Sequence, residues 1–299
     1  MTIAVASGKG GVGKTMLATS LAVTLAREHP TLLLDLDVEE PNAHLFLDAP
    51  CTTIGEVTVM QPRIEEEFCN HCGLCQKICA FHALLVLPDQ VVVFPELCKS
   101  CRGCVVLCPM GAVVDDAKRI GVVEQRALRQ LTVLTGRLDV GATEAPALIR
   151  EVKSRAGTLS APVDTAASAA AAMAADVTVI DAPPGCGCAA VEAVRGADCT
   201  ILVTEPTPFG LHDLDLTVRT LREFRQQVAV VLNKAVPHDD SVQRYCRAEN
   251  IPLLASIPQS EDIARACAHG WLLPRAVPWS APLFLDILER TGAFGEVHA

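Results

Sequence analysis

Short aliphatic runs alternate along the chain with helix-like segments. The runs lie at residues 2–6, 31–36, 177–180, 200–204, 228–232 and 252–257. Continuous apolar runs of this length are typical of parallel strands that are buried on both faces, because helices then cover both sides of the sheet. The pattern predicts an α/β fold with a doubly wound, mainly parallel sheet.

Residues 60–115 differ in character from the rest, because they are dense in cysteine and contain an internal repeat. We interpret them as a small inserted α+β domain, with residues 1–59 and 116–299 forming the parent domain. Within the insert, residues 84–87 and 91–94 flank a Pro-Asp-Gln turn and predict a hairpin. After the insert, residues 131–134 predict a further strand and residues 144–154 a helix. The Ala-rich segment at residues 166–175 predicts a helix too short to cross a bilayer.

Composition excludes several classes of function. The chain has 299 residues, half of them hydrophobic, and a formal net charge of -10. Such a charge disfavours broad binding to nucleic acid or to anionic membranes, so neither is expected as a partner. The first residues are strand-like and lack the features of a signal peptide, which favours a cytoplasmic protein. The chain has fourteen cysteines, and the close spacing of most of them indicates metal ligation rather than disulfides.

A phosphate-binding motif follows the first aliphatic run. Residues 8–15 read Gly-Lys-Gly-Gly-Val-Gly-Lys-Thr and lead into a helix-like segment, which is the context that the motif requires. We expect the loop to bind ATP or ADP, with Lys14 contacting the β phosphate and, in ATP, also the γ phosphate, and with Thr15 binding Mg²⁺. Asp181, at the end of a later run, is expected to hold the same ion through water. The predicted nucleotide-binding set is Gly8, Gly10, Gly11, Val12, Gly13, Lys14, Thr15 and Met16.

The additional lysine in the loop, Lys9, makes the motif similar to that of the deviant Walker A group, which includes MinD, ParA, Mrp-type carriers and the nitrogenase iron protein. The resemblance implies that Lys9 acts catalytically across a dimer, reaching the nucleotide of the other subunit. The dimer would be a homodimer or a heterodimer with a related ATPase. The alternative role for Lys9 is that of a solvent-exposed loop lysine.

Four further positions resemble the same group. Residues 34–42 are similar to its switch I, which implies that Asp37 orients the attacking water and that Asp35 lies near Mg²⁺. Residues 181–185, Asp-Ala-Pro-Pro-Gly, are similar to its switch II. Asn233 matches the element that contacts the purine, and Pro258 is expected at the same edge. Without a ligand, these carboxylates would simply face solvent, and Asn233 would belong to a turn.

The cysteine repeat is the second strong motif. C-x2-C-x2-C-x3-C occurs twice, and the second copy ends in Cys-Pro, as in bacterial two-cluster ferredoxins, although Ala80 replaces the proline of the first copy. The resemblance implies two 4Fe-4S clusters, each completed by the last cysteine of the other motif; zinc is the minor alternative. The first cluster would be held by Cys69, Cys72, Cys75 and Cys108, and the second by Cys98, Cys101, Cys104 and Cys79.

Cys186 and Cys188 come directly after the segment that resembles switch II. In the nitrogenase iron protein a cysteine at the corresponding place binds a cluster shared across the dimer, and Mrp-type carriers use a close cysteine pair with a different spacing. The resemblance implies a bridging metal site. The alternative is a pair of small cysteines packed in a turn.

Three functions remain open from the sequence. The first is an ATP-driven switch in metallocluster assembly or delivery, acting on a cluster-accepting partner and similar to the MinD-like ATPases associated with the orange-protein complex. The second is an ATP-gated electron donor to a redox partner. The third, a positioning ATPase like MinD or ParA, ranks last because residues 282–299 contain Asp286, Glu289 and Glu296 against Arg290, whereas membrane binding favours a basic amphipathic tail.

Overall fold

The computed structural model of the protein describes residues 1–159 and 175–298. The strands are β1 Thr2–Ala6, β2 Thr31–Asp35, β3 Thr52–Ile64, β4 Leu84–Val86, β5 Val91–Val93, β6 Val113–Leu128, β7 Leu131–Leu138, β8 Val177–Asp181, β9 Cys199–Thr204, β10 Val228–Ala235 and β11 Leu253–Pro258. The helices are α1 Lys14–Leu25, α2 Leu74–Ile78, α3 Gly103–Val106, α4 Ala145–Leu159, α5 Cys188–Val194, α6 Pro208–Glu223, α7 Ser241–Ala248, α8 Glu261–Ala268, α9 Leu273–Ala276 and α10 Ala281–His298.

Nine of these strands form one sheet in the order β11-β10-β9-β1-β8-β2-β7-β6-β3. The seven strands from β11 to β7 run parallel to one another, and every predicted aliphatic run lies among them. Their side chains alternate between two cores, so that Ala4 and Leu34 face one layer of helices while Val5 and Leu33 face the other. The predicted α/β class with a mainly parallel sheet is confirmed.

The remaining two strands of this sheet form a long antiparallel ribbon that the sequence did not predict. β6 pairs with β7 and with β3, and the ladder between β3 and β6 extends from Thr52 opposite Gln125 to Ile64 opposite Val113. The small module between Ile64 and Val113 is therefore attached at the end of the ribbon. The predicted boundaries at residues 59/60 and 115/116 fall inside β3 and β6, so both strands extend into the segment predicted as the insert.

Local predictions around the insert are confirmed with changed lengths. The hairpin is formed by β4 and β5. The strand predicted at residues 131–134 is the longer strand β7, and the helix predicted at residues 144–154 is the longer helix α4. The predicted Ala-rich helix at residues 166–175 lies outside the described residues except for Ala175. Among the residues that the structure describes, no helix is both long enough and apolar enough to cross a membrane.

Helix α4 packs against strands of the sheet on one side and against α5 on the other. Glycines in the sheet let this helix approach closely: a Cβ atom on Gly136 would lie 2.9 Å from the Val152 side chain. On its other side, Lys153 donates from Nζ to the Glu192, Ala193 and Arg195 carbonyl oxygens at 3.0, 3.2 and 2.6 Å, at the C-terminal end of α5. A cation at this end of a helix is favourable. Lys153 thereby holds α5 against α4.

Candidate functional site

The glycine-rich loop joins the carboxyl end of β1 to the first turn of α1. Gly13 precedes the helix with a φ of 95°, in the left-handed region that favours glycine. Gly8 lies against α6, where a Cβ atom would come within 2.6 Å of the Asp213 backbone oxygen. The loop can therefore take this compact shape only because residues without side chains stand at these positions.

Three aspartates surround the Lys14 ammonium group. Lys14 is buried, and its Nζ lies 2.7 Å from Asp181 Oδ1 and 3.5 Å from Asp37 Oδ2. Asp35 joins them because β2 and β8 are adjacent parallel strands that place Asp35 directly opposite Asp181. The ends of two buried strands and the start of α1 thus bring together residues that are up to 167 positions apart in sequence.

Two oxygen atoms of these three aspartates have no hydrogen-bond partner among the described residues. They are Asp35 Oδ1 and Asp181 Oδ2, both buried, whereas Asp35 Oδ2 accepts a hydrogen bond from the Ala43 N–H at 3.0 Å. Burial, and then the nearby Asp181 charge, raise the pKa of Asp35 well above its ordinary value, and burial also raises the pKa of Asp37. Such buried oxygens suit a hard cation, so the residues present fit Mg²⁺ beside a nucleotide phosphate.

Substituting Asp35→Asn is expected to stabilise the nucleotide-free protein by about 1 to 2 kcal/mol at neutral pH, because it removes a carboxylate whose charged form is penalised by burial. Since the folded-state pKa is raised, the penalty is present above the ordinary pKa of aspartate and disappears in acid. The stability gain should therefore be larger at pH 8 than at pH 4. Denaturant unfolding at both pH values measures it.

The same variant should bind Mg²⁺-ADP more weakly than the parent chain, which calorimetric titration would detect. Asp89→Asn, at an exposed turn, is the matched control and should change neither stability nor binding. A loss of stability in the Asp35 variant at pH 8 would contradict the assigned burial penalty.

The second lysine of the loop, Lys9, is about one-third exposed and forms an ion pair with Glu205 of its own chain. Lys234 Nζ lies 3.0 Å from the other Glu205 oxygen and donates to the Gly11 carbonyl at 3.1 Å. Hydrogen bonding from Lys9 leads the interactions that lower the pKa of Glu205. Lys9 is thus a partly exposed, paired lysine rather than a free one, and its predicted action across a dimer stays a prediction.

Asn233 ties β10 to the glycine-rich loop. Its Nδ2 donates to the Val12 carbonyl at 2.7 Å, its Oδ1 accepts from the Lys234 N–H at 2.9 Å, and the residue is buried. Pro258 is exposed at the end of β11, opposite Ala235. Both residues lie at the carboxyl ends of their strands, and their predicted contact with the purine stays a prediction. The geometry gives Asn233 a role in shaping the loop that the sequence did not indicate.

The remaining loop residues occupy different environments. Thr15 is half-buried at the start of α1, whereas the Met16 side chain is buried in the core, with its Cε 3.2 Å from the place of a Cβ atom on Gly13. Gly185 has a φ of 89° and donates its N–H to the Ser7 carbonyl at 2.8 Å, linking the segment after β8 to the end of β1. Cys186 is half-buried and Cys188 is exposed just beyond.

The two cysteine motifs line two separate cavities. Each cavity contains three cysteines of one motif and the last cysteine of the other, and no disulfide links any cysteine of the described chain. One cavity is lined by Cys69, Cys72, Cys75 and Cys108. The other is lined by Cys79, Cys98, Cys101 and Cys104. These are the two groups of four that the resemblance to ferredoxins implies.

The backbone of the two motifs follows the same path. Left-handed residues occur at equivalent positions, with His71 and Ser100 at φ 53° and 55°, and Gly73 and Arg102 at φ 73° and 62°. Short helices, α2 and α3, begin directly after the second pair. The internal repeat in sequence is therefore also a repeat in conformation.

Several backbone N–H groups point at cysteine sulfurs. The Ala83 N–H lies 3.3 Å from Cys79 Sγ, and the Ser100 N–H lies 3.4 Å from Cys98 Sγ. Burial alone would raise the pKa of Cys108, but backbone N–H groups at residues 110–113 outweigh it and lower that pKa. Donors of this kind stabilise thiolate ligands of iron–sulfur clusters. The cavities therefore fit such clusters.

A zinc site of mixed ligands is the competing interpretation of the first motif. Ligand atoms of Glu66, Cys69 and His71 lie within 4.8 Å of one another, and His71 Nε2 is 3.3 Å from Glu66 Oε2. This group uses a single cysteine of the four that line its cavity. The complete sets of four cysteines favour the cluster interpretation.

The strand, glycine-rich loop and helix, at the carboxyl end of a parallel sheet with facing aspartates, define a P-loop nucleotide-binding protein. Comparison with known families agrees. The chain belongs to the CobQ/CobB/MinD/ParA nucleotide binding domain family, whose model matches residues 3–273.

Similar proteins and structures support this assignment. An uncharacterised protein of Methanocaldococcus jannaschii is 29% identical over 91% of this chain and 90% of its own length. An iron-sulfur cluster carrier protein of Synechocystis sp. is 37% identical over 31% of this chain and 25% of its own length. The cell division ATPase MinD of Pyrococcus furiosus has a similar fold, with a TM-score of 0.59, 20% identity and 98% coverage of each chain. At this identity the likeness to MinD concerns the fold.

Proposed function

We propose that the protein is an ATP-hydrolysing iron–sulfur protein that acts as a nucleotide-dependent switch in metallocluster assembly or delivery. One observation carries the proposal: a P-loop with unpartnered buried carboxylate oxygens and two cavities with four cysteines each occur in a single chain. Family membership supports nucleotide binding, and the partial likeness to a cluster carrier protein supports the metal function.

In the proposed reaction, backbone N–H groups of residues 8–15 cradle the phosphates of ATP, and the buried Lys14 neutralises charge on the β and γ groups. Asp37 accepts a hydrogen bond from the attacking water and orients it toward the γ phosphate. Thr15, Asp35 and Asp181 would hold Mg²⁺, which when bound neutralises charge on the phosphate oxygens. Lys14 exchanges its carboxylate partners for phosphate when the nucleotide enters.

A dimer is part of the proposal, because Lys9 is expected to contribute to the nucleotide site of a second subunit. Its ion pair with Glu205 holds it within its own chain. Lys234 contacts the same carboxylate, so Glu205 keeps a partner when Lys9 turns away. The exchange of Lys9 between Glu205 and a neighbouring nucleotide would link ATP binding to dimer closure.

The eight motif cysteines would hold two 4Fe-4S clusters, which when bound supply one-electron chemistry. Cargo would bind elsewhere, at Cys186 and Cys188. That pair lies directly after Gly185, whose N–H donates a hydrogen bond to the Ser7 carbonyl, just beyond the end of β1. A change in the loop around the γ phosphate would therefore reach the pair through a short stretch of backbone. Nucleotide state would thus control whether the cargo is held or released to a partner protein.

An ATP-gated electron donor is the second candidate, and the packing of the module favours it. Cys75, Cys79, Cys104 and Cys108, drawn from both motifs, pack against one small core of Leu84 and Val113. Clusters held by these residues would be adjacent, which suits electron transfer to a redox partner. The likeness to MinD concerns the fold, so it adds no support to a role in positioning.

The iron and acid-labile sulfide content per chain, after anaerobic reconstitution with and without ATP, separates the two candidates. Two clusters alone give roughly 8 irons, and a further cluster shared across a dimer gives roughly 10. The switch proposal expects a value near 10 that ATP changes and that falls to about 8 in a Cys186→Ser, Cys188→Ser double variant. A matched Cys51→Ser, Cys267→Ser variant should keep the parent value. An iron content near 8 that ATP does not change would favour the electron donor. An iron content near zero would overturn both candidates.

A further inference from the structure

A large cavity lies at the far end of α1 from the nucleotide site. Its volume is about 710 Å³, and it opens between the end of α1, the turn between β6 and β7, and the segment that leads into α9. Since α1 has 12 residues, about 18 Å of helix separate this end from Lys14. The apolar lining includes Val23, Phe46, Leu47, Leu131, Trp271 and Leu272.

The charged residues around this cavity are mostly arginines. Arg27, Arg129 and Arg275 line it together with a single carboxylate, Asp48. Within the described part of the chain, none of the three guanidinium groups has an ion pair or a side-chain hydrogen bond, although most other arginines are paired with carboxylates. The excess of positive charge at one apolar cavity contrasts with the net charge of -10 of the whole chain.

The walls of the cavity are built from closely packed backbone. Gly270 has a φ of 67°, and a Cβ atom there would lie 2.3 Å from the Leu45 carbonyl oxygen. On the opposite side, Leu128 pairs with Leu131, so Arg129 and Gln130 form a two-residue hairpin turn in which Arg129 has a φ of 51°. A turn of this kind usually places glycine or asparagine at positive φ. The arginine is therefore held at the cavity at some conformational cost.

We propose that this cavity binds a small amphiphilic anion, that is, an apolar body that carries one carboxylate, sulfonate or phosphate group. The volume lies in the range of small-molecule sites, which are mostly apolar with few polar groups that fix orientation. The apolar body would lie against Phe46 and Trp271, and the anionic group would pair with the three arginines. Exposed arginines are ordinarily solvated side chains, but here all three surround the same apolar recess.

Fluorescence can test this binding with 8-anilinonaphthalene-1-sulfonate as the probe, because the chain has two tryptophans and one of them lines the cavity. In a Trp279→Phe background, excited at a wavelength that the one tyrosine does not absorb, Trp271 is the sole energy donor. We expect saturable binding with one probe per chain, energy transfer from Trp271, and displacement by decanoate. Dodecyltrimethylammonium, which has a similar tail and the opposite charge, should not displace the probe.

Two arginine variants complete the test. Arg129→Gly removes a charge and also suits the positive φ, so the fold is expected to tolerate it. Combined with Arg275→Ala, it should weaken probe binding at least about tenfold. Arg247→Ala, an exposed arginine on α7 away from the cavity, is the control and should keep the parent affinity. Circular dichroism verifies folding. Unchanged affinity in the double variant, or equal displacement by the cationic amphiphile, would overturn the proposal.

Discussion

Substituting Lys14→Met is expected to lower Mg²⁺-dependent ATP hydrolysis by at least about 100-fold, because removing one preorganised charge from a phosphate site typically costs this much. The variant should also unfold more easily by about 3 to 5 kcal/mol, since Asp181 and Asp37 lose their buried cationic partner. Phosphate release assays and denaturant titration measure the two effects.

Lys77→Met provides the control for this experiment, because Lys77 is exposed on α2 and distant from the glycine-rich loop. It should leave both hydrolysis and stability close to those of the parent chain. Hydrolysis within twofold of the parent in the Lys14 variant would exclude the assigned role of this lysine. A loss of hydrolysis without any loss of stability would show instead that the contacts with the aspartates contribute little to the fold.

The last cysteine of each motif lines the cavity of the other motif, so paired cysteine substitutions are expected to have large and different effects on the iron content. If Cys108 completes the first cluster, then Cys108→Ala and Cys72→Ala remove the same cluster, and a variant with both changes keeps roughly 4 of the roughly 8 irons that the two motifs hold. Combining Cys108→Ala with Cys101→Ala should remove both clusters and leave almost none of these irons. If each motif instead held its own cluster, the two double variants would give the opposite result.

Iron content after anaerobic reconstitution, together with the visible absorption of the clusters, checks this prediction. Cys267→Ala is the control, because Cys267 is half-buried on α8, away from both cavities. It should keep the iron content of the parent chain. Equal iron content in the two double variants would contradict both ways of assigning the cysteines.

The parallel part of the sheet was predictable because its signal is local. Strands such as β1 and β2 are buried on both faces, so each appears in the sequence as a continuous aliphatic run regardless of its neighbours. Their carboxyl ends carry the loop with Lys14 and the aspartates, so the candidate site followed from recognising the strands. The cysteine motifs were equally predictable, because the three ligands of each group lie close together in sequence.

The ribbon of β3 and β6 was not predicted, because it is stabilised by the pairing of the two strands and not by the strand preference of their residues. β3 contains Gly55 and Pro62, and β6 begins with charged residues at 115, 116, 118 and 119, which disfavour strands when considered alone. The ladder satisfies their backbone groups, and surface ion pairs such as Arg119 with Glu56 join the two strands. The Glu-Val-Thr-Val alternation at residues 56–59 was the available signal.

Contacts between residues distant in sequence were the other gap. Glu205 accepts from Lys9 and Lys234, yet a single glutamate after a buried strand carries no motif. The resemblance alone predicts a contact of Asn233 with the purine, whereas its hydrogen bond to the Val12 carbonyl depends on the position of β10 beside the loop. The sequence identifies which residues carry chemistry, whereas the sheet order decides which of them meet.

The ribbon also suggests how such a protein could arise. Ile64 and Val113 are opposite each other in the ladder, so the polypeptide leaves the parent sheet and returns to it at adjacent points. A gene segment encoding a small module can be grafted into a hairpin of this kind without rethreading the host fold, since chain entry and exit are already neighbours. The cysteine-rich module therefore lies beyond the strands at one edge of the sheet, whereas the glycine-rich loop follows β1 in its interior, so a change in either part leaves the strands of the other in place.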